Sequence, residues 1–472
     1  MSSSSQRSPS SQFPVPNSLP SYWRKQPAAI DNHRSTTDLV AEADIVVIGA
    51  GYSGASIVHH LVEESLRAGK AIPSIVILEA REACSGATGR NGGHLKPDPL
   101  LRPAGLLDGH GAAIAEHVAS FEQRQVTAIK ELVERESIDC DFEETTVMDI
   151  CKYAQGRNKM KASIDKISKA GISTAKMIRF YEGREAEEVS GVRGALSCHT
   201  YSGARLAPYQ LVAHLLQKAV TQGVNLQTFT SVESVQAIED DTQSYKWAVD
   251  TPRGTVKTKT VIFATNGYTS ALIPEMKGKI VPVRGMVAHI TAPNAPQLKH
   301  SYMMRLSDHE YDYMIPRPDG SVVVGGGRRD FYKNLSDWFD VVDDSKLIDA
   351  GKDYYDGYMQ RHFFAWENTG ARTEDLWTGI MGYSNDEFPY VGPACGRLGQ
   401  YVCAGFTGHG MPQIFLSAKA VAVMTLTGDT ENVDLPLPYR ITPERWSERK
   451  EHAARETWER VQKCEPVLAA KL

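Results

Sequence analysis

Short apolar runs, glycine-rich turns and amphipathic stretches alternate along the chain from residue 43 onward. The β-branched runs at 44–48 and 74–78 are typical of strands buried on both faces of a parallel sheet. Residues 55–68 between them have helical spacing, so this region predicts a strand–helix–strand unit. Apolar periodicity predicts further helices over residues 112–136, 208–222, 345–364, 412–426 and 443–463, and further strands at 224–235, 245–249, 260–264, 280–291, 311–315, 321–324 and 401–403.

Composition is that of an ordinary folded protein. The chain has 472 residues, 42% hydrophobic and 23% charged, which predicts two domains or one bilobed unit. The formal net charge of −5 gives no basic field for nucleic acid, and no apolar run is long enough to span a membrane. The seven cysteines are scattered and form no C-x-x-C pair, so neither a disulfide framework nor a zinc site is expected.

A dinucleotide-binding motif follows the first predicted strand. Residues 49–54 read Gly-Ala-Gly-Tyr-Ser-Gly, which matches G-x-G-x-x-G between a strand and a helix. In such a motif the glycines permit a tight turn, close approach of a pyrophosphate and close packing of helix on strand. Glu79 ends the next strand, where an acidic residue accepts hydrogen bonds from a ribose, although it lies further along the chain than is usual.

A second loop of small residues, 80–94, follows Glu79. A nicotinamide-binding fold does not need this loop, whereas a flavoprotein does, because the isoalloxazine ring lies far from the adenine. With its block Ser-Gly-Ala-Thr-Gly-Arg-Asn-Gly-Gly at 85–93, the sequence resembles FAD-dependent oxidoreductases of the D-amino-acid-oxidase type. It is most similar to their γ-glutamylputrescine-oxidase-like branch and its fungal relatives. Further matching blocks lie at 230–235, 261–267, 281–285, 313–317 and 405–411.

The resemblance implies an α/β fold with two domains. The first is a Rossmann-like FAD/NAD(P)-binding domain of the glutathione-reductase type, and the second is an inserted substrate domain built on an antiparallel sheet. We assign residues 40–138, 203–274 and 366–440 to the FAD domain and residues 139–202 and 275–365 to the substrate domain. Residues 1–39 are predicted to be a disordered tail to about residue 20, followed by an extended strap to residue 39. Residues 441–472 are predicted to be a C-terminal helix, packed on the FAD domain, and a tail.

The resemblance also implies FAD as the cofactor. Some relatives tether FAD through a cysteine near the position of Ile380, but no cysteine lies between Cys198 and Cys395, so non-covalent binding is expected. The residues implied to contact FAD or shape its site are Gly49, Gly51, Tyr52, Ser53, Gly54, Glu79, Ala80, Arg81, Ser85, Thr88, Gly89, Arg90, Asn91, Gly92, Gly93, His94, Val232, Ala264, Thr265, Asn266, Gly267, Gly405, Gly408, His409, Gly410 and Met411.

The activity implied by the resemblance is oxidation of the C–N bond of a small amine or amino acid to an imine, by hydride transfer to flavin N5. Tyr311 and Tyr313 alternate on one strand and would form an aromatic wall over the flavin. His94 and Lys96 follow the flavin loop. Met381 stands where amino-acid-oxidising relatives often place an arginine that binds the substrate carboxylate, so that arginine is missing here. Another arginine could take over its role, and the candidates are Arg284, Arg305 and Arg317.

The electron acceptor is open at this point. Molecular oxygen, giving hydrogen peroxide, is expected, but Val324 stands where some relatives carry an oxygen-activating lysine. The alternatives are a dehydrogenase with another acceptor, an oxidase of a secondary metabolite, and a flavin-binding subunit with a structural role. The terminal residues 470–472 read Ala-Lys-Leu, a variant of the Ser-Lys-Leu address. They predict a peroxisomal import receptor as partner and a peroxisomal location, with the cytoplasm as alternative.

Overall fold

The computed structural model describes residues 12–239 and 244–469, with side chains described as far as residue 463. In these ranges the strands are β1 (Glu42–Ile48), β2 (Ile75–Leu78), β3 (His94–Leu95), β4 (Glu143–Cys151), β5 (Arg179–Glu182), β6 (Ser197–Arg205), β7 (Asn225–Gln227), β8 (Ser234–Ala237), β9 (Trp247–Thr251), β10 (Gly254–Phe263), β11 (Ile280–Thr291), β12 (Ser301–Arg305), β13 (Tyr311–Pro316), β14 (Val322–Gly326), β15 (Arg372–Ser384), β16 (Tyr390–Pro393) and β17 (Gln400–Ala404). The helices are α1 (Tyr52–Arg67), α2 (Leu101–Gly109), α3 (Gly111–Glu136), α4 (Ala154–Lys169), α5 (Arg184–Ser190), α6 (Pro208–Thr221), α7 (Arg328–Phe331), α8 (Tyr358–His362), α9 (Ile414–Thr427), α10 (Pro443–Ser447) and α11 (Ala453–Ala469).

The first sheet carries the strand–helix–strand unit. Its order is β16-β17-β10-β1-β2-β7, and β9 and β8 extend it beyond β10. Strands β7, β2, β1, β10 and β17 are parallel, and α1 packs against α9 and α6. Val46, Val47 and Ile77 are fully buried because helices and loops cover both faces. The predicted Rossmann-like fold of the glutathione-reductase type is confirmed.

The second sheet is almost entirely antiparallel. Its order is β15-β11-β14-β13-β12-β4-β6-β3, with β5 paired to β6, and only β12 and β4 run parallel. Strand β15 pairs with β11 along its whole length, although the predicted FAD segment begins at residue 366. The sequence boundary therefore differs from the strand pairing there, since a single strand gives no sign of which sheet it will join.

The N-terminal segment departs from the prediction of a disordered tail. Residues 12–20 lie against the rest of the protein, and the Arg90 guanidinium donates to Ser18 Oγ and to the Leu19 carbonyl. Polar composition predicts disorder when no partner is visible in the sequence. Here the partner is a buried arginine from a distant loop.

Two predicted helices are interrupted. The 345–364 region contains only the short α8 and single 3₁₀ turns, because Gly357 has φ +63° and begins α8 instead of continuing a longer helix. The helix predicted over 443–463 begins with α10, where the Thr442 side chain accepts the Arg445 amide as a cap, but α10 ends at Ser447. The separate α11 then packs through Trp458 and Val461 on the core of the second sheet, not on the FAD domain as expected.

No helix within the described residues is both long and apolar enough to cross a membrane. Residues 470–472, on which the peroxisomal prediction rests, lie outside the described residues, so that location stays a prediction.

Candidate active site

A cavity of about 1730 Å³ runs between the two sheets. One end is formed by the turn after β1 and the end of β2, and the other by residues of β12, β13 and β15. This exceeds the ~300–1,000 Å³ of a site for one small molecule. The cavity therefore has room for a dinucleotide and a substrate together.

The glycine turn between β1 and α1 depends on two close backbone contacts. Gly49 has φ +107°, and a Cβ there would lie 2.7 Å from the Ala264 carbonyl oxygen. A Cβ on Gly54 would lie 1.9 Å from the Gly49 carbonyl oxygen. Helix α1 begins at the Gly51 cap, and the amide of Tyr52 in its first turn donates to Thr88 Oγ1 of the second loop at 3.0 Å. Gly51, Tyr52, Ser53 and Thr88 all line the cavity, so the N-terminus of α1 faces it in the arrangement that binds a pyrophosphate.

Glu79 is held at the edge of this turn. Its carboxylate accepts the amide of Ala50 at 2.8 Å and the amide of Arg81 at 3.0 Å. A carboxylate has about four lone-pair positions. Two therefore remain for a diol, as the ribose-binding role requires.

His94, at the start of β3, ends the loop that the sequence predicts to lie beside the flavin. Both ring nitrogens of His94 are buried without a hydrogen-bond partner, yet the side chain lines the cavity. Burial holds the pKa of His94 well below its usual range, so the imidazole is neutral and offers one donor and one acceptor. Buried polar atoms without partners are rare in proteins. A planar group with polar edges, such as a flavin, would satisfy them.

The loop before α9 is tied to the turn after β10. Asn266 adopts φ +43°, and its side-chain oxygen accepts the Gly405 amide at 3.1 Å. His409 Nε2 lies 2.9 Å from Glu122 Oε2 on α3. Burial alone would raise the pKa of Glu122, but His409 and Arg102 hold it down to about 2. The contact between His409 and Glu122 thus ties this loop to α3.

The two tyrosines predicted to form an aromatic wall, Tyr311 and Tyr313, both line the cavity, and their place over the flavin stays a prediction. Tyr313 lies between two glycines, since a Cβ on Gly92 or on Gly325 would come within 2.4 or 2.1 Å of its ring. The His94 ring meets it edge to face at 5.5 Å between centroids. Tyr311 lies two residues earlier on the same face of β13, and both tyrosines line the cavity together with Met381.

Two of the three predicted substitute arginines are paired with carboxylates, and the third is bonded to backbone carbonyls. Arg284 donates to the carbonyls of Asp337 and Asp343. Arg305 makes two 2.8 Å bonds to Asp149, and Arg317 pairs with Asp141.

A further arginine that lines the cavity is Arg328, which was not among the sequence predictions. It follows the turn after β14, where Gly326 and Gly327 have φ +140° and +71°. Its guanidinium lies 5.2 Å from the Tyr311 ring centroid and 5.8 Å from that of Tyr383, and it donates to the Tyr383 hydroxyl. No ion pair among the described residues includes Arg328, although it lines the cavity. The signal that could have found it is the glycine pair, which turns the chain back toward the sheet.

Lys96 also lines the cavity. The residue is 8% exposed, and burial lowers the pKa of its ammonium group to about 8. Val324 is completely buried and does not line the cavity. The position equivalent to the oxygen-activating lysine therefore has no access to the site.

The residues predicted to contact FAD fall into two sets. Those that line the cavity are Gly49, Gly51, Tyr52, Ser53, Glu79, Ala80, Arg81, Thr88, Arg90, Asn91, Gly92, His94, Val232, Ala264, Thr265, Asn266, Gly408, His409, Gly410 and Met411. Those that lie behind this lining are Gly54, Ser85, Gly89, Gly93, Gly267 and Gly405. The individual contacts with FAD stay predictions.

A parallel sheet with a glycine turn, a ribose-binding acid and a second small-residue loop defines a dinucleotide-binding oxidoreductase of the flavoprotein class. Residues 44–424 match the family model described as DAO, FAD dependent oxidoreductase. The chain belongs to this family, and its cofactor is FAD.

Three relatives illustrate the match. The γ-glutamylputrescine oxidoreductase of Escherichia coli (strain K12) is 23% identical over 424 residues, which cover 86% of this chain and 89% of the relative. Glycine oxidase from Geobacillus kaustophilus has a TM-score of 0.68 at 19% identity, over 86% of this chain and 99% of that one. L-Proline dehydrogenase from P. horikoshii has a TM-score of 0.66 at 19% identity, over 85% and 98%.

Proposed function

We propose that this FAD-dependent oxidoreductase oxidises the C–N bond of an amine or amino acid that carries a carboxylate. The observation that carries the proposal is Arg328, a cation with no carboxylate partner among the described residues, facing the cavity that continues into the dinucleotide groove. A charge left unpaired in a partly dry site favours binding of an anion. The names of the relatives support the same class, since they include an oxidoreductase, an oxidase and a dehydrogenase of amino compounds.

Each wall of the cavity has a role in this reaction. Arg328 binds the substrate carboxylate, while Tyr311 and Tyr313 limit where the carbon next to nitrogen lies. Bound FAD supplies the acceptor for the hydride that leaves this carbon. The amine nitrogen gives its proton to solvent, and the resulting imine is hydrolysed by water. Positioning of this kind supplies much of the catalysis in reactions whose chemistry belongs to the cofactor.

We propose oxygen as the final acceptor, with hydrogen peroxide as its product. Lys96 supports this as a buried cation near the site, because a fixed positive charge stabilises the anion formed on oxygen by the first electron. A dehydrogenase using another acceptor is the second candidate, and burial of Val324 favours it.

The experiment is anaerobic reduction of the purified holoenzyme, followed by air. The panel contains primary amines, secondary amines, polyamines and amino acids, with each carboxylate compound matched by its decarboxylated or amidated form. We expect carboxylate compounds to bleach the flavin band and air to restore it with one peroxide per flavin. If only the matched compounds that lack a carboxylate bleach the flavin, the Arg328 assignment is contradicted. Slow restoration in air would select the dehydrogenase.

A further inference from the structure

Residues 12–23 lie outside the stretch that matches the family model, yet they reach the cofactor cavity. Phe13 and Pro14 line it together with Arg81 and Val232. The resemblance at 230–235 implies that Val232 contacts the adenine through its backbone, and Glu79 lines the same end of the cavity. The N-terminal segment thus covers the end of the cavity that receives the adenosine half of FAD.

Bonds to both halves of the molecule hold this segment. Gln12 accepts the hydroxyl of Ser270 at 2.6 Å and donates to Asp340 at 3.2 Å. Arg81, which lines the cavity beside Glu79, donates to the Val15 carbonyl at 3.3 Å. The segment is therefore fixed on each side of the two residues that line the cavity.

The following residues are bonded to the flavin loop itself. Arg90 donates to Ser18 Oγ at 3.1 Å and to the Leu19 carbonyl at 2.7 Å. The Ser21 hydroxyl donates to the Gly89 carbonyl, and the Trp23 indole donates to the Asn91 carbonyl, each at 2.6 Å. Three successive residues of the loop thus have their polar groups satisfied by the N-terminal segment.

We propose that residues 12–23 are a retaining strap of the FAD site, which FAD cannot leave until the strap detaches. The strap extends from the adenosine end at Phe13 to the flavin loop at Trp23. Without a covalent tether, the lifetime of the holoenzyme depends on contacts of this kind. Release of FAD is then coupled to breaking the bonds at Arg81 and Arg90, so the strap acts mainly on the dissociation rate.

The test is a pair of truncations measured as holoenzymes. Removal of residues 2–20 deletes the covering part of the strap, and removal of residues 2–11 is the matched control that leaves it intact. The dissociation rate of FAD is followed by the recovery of flavin fluorescence after dilution. We expect release at least about tenfold faster without residues 2–20 and unchanged without residues 2–11, where tenfold corresponds to ~1.4 kcal/mol.

A full-length variant, Phe13→Ala, separates retention of FAD from folding. Its expected release is severalfold faster, with a melting temperature in saturating FAD equal to that of the unchanged protein. Equal release rates in the 2–20 deletion and the full chain would overturn the proposal. So would a deletion that melts early in saturating FAD while Phe13→Ala releases FAD normally, because the strap would then only support folding. None of these readouts needs a substrate, so they stand apart from the proposed reaction.

Discussion

At the residue scale, the proposed partner of the substrate carboxylate is Arg328. Replacing it in Arg328→Met removes the only charge-assisted partner proposed for the substrate carboxylate. Hydrogen bonds to charged groups contribute ~1.5–3 kcal/mol, so we expect KM for a carboxylate amine to rise about 10- to 150-fold. KM for the matched amine without a carboxylate should change little. Steady-state kinetics on the two compounds measure the difference.

Arg329→Met is the control for this prediction. Arg329 is the next residue of α7 and is exposed, and it does not line the cavity. The Arg329→Met variant changes the net charge by the same amount. An equal effect on KM would therefore assign the result to the net electrostatic field of the protein and count against Arg328. Arg328→Lys should recover only part of the affinity, because a lysine cannot make the bidentate contact.

Lys96 predicts how activity depends on pH. Burial lowers the pKa of Lys96 to about 8 despite the opposing charges of Asp149, Asp98 and Glu122, while Arg305 adds to the shift. The side chain is charged below about pH 8 and neutral above it. We therefore expect kcat/KM for oxygen to fall severalfold as pH rises through about 8.

Profiles from pH 6 to 10 on three proteins check this assignment. Lys96→Met should be low and flat across that step, and Lys96→Arg should stay charged throughout and lose the step. A step of unchanged size in Lys96→Met would belong to another titrating group, and the assignment to Lys96 would fail.

The sequence predicts residues whose role is local, and it misses those whose role depends on distant contacts. The turn at 49–54 and Glu79 could be predicted because the glycine spacing is itself the geometry of a phosphate site. Arg328 could not, because nothing near it shows that Arg305 and Arg317 are already neutralised by Asp149 and Asp141. Whether an arginine is free to bind a substrate depends on its ion-pair partners, and those lie far along the chain.

At the element scale, α11 is the least expected part of the site. Thr457, Arg460 and Val461 line the cavity, and the Trp458 indole donates to the Tyr332 carbonyl at 2.9 Å. Helical periodicity predicts such a helix but not the sheet on which it packs. Tyr354, Tyr355 and Tyr358 show the reverse case: their spacing resembles a helix, yet they pack in the core of the second sheet from turns and the short α8.

Trp458→Ala should loosen α11 from the second sheet. Deletion of a large, partly buried ring costs up to ~3 kcal/mol, and Trp458→Phe, which loses the hydrogen bond but keeps a smaller aromatic ring, costs ~1 kcal/mol. We expect a lower melting temperature in that order, together with faster cleavage at Arg455 and Arg460 by trypsin. Equal melting temperatures for the Trp458→Ala variant and the unchanged protein would mean that α11 contributes no packing energy.

At the scale of the whole molecule, Asp344 joins the two units. Its carboxylate is completely buried and makes bonds of 2.9 and 3.1 Å to Arg81, and Arg90 lies 3.6 Å away. The aspartate comes from the inserted segment, whereas both arginines come from the second loop of the dinucleotide site. The same carboxylate therefore holds the second unit against the groove that it completes.

Asp344→Asn removes the negative charge that the two buried guanidinium groups of Arg81 and Arg90 share. Removing one partner from a buried ion pair costs ~3–5 kcal/mol, so we expect a large fall in melting temperature and faster loss of FAD. Asp343→Asn is the matched control, because Asp343 is partly exposed and its carboxylate bonds only locally, to Ser345 and Lys346.

Thermal melts with and without saturating FAD separate two effects. A melting temperature that excess FAD restores would place the role of Asp344 in the cofactor groove, and one that stays low would place it in the junction between the units. Indistinguishable melts for the Asp344→Asn and Asp343→Asn variants would refute both roles, since the buried charge would then be compensated elsewhere.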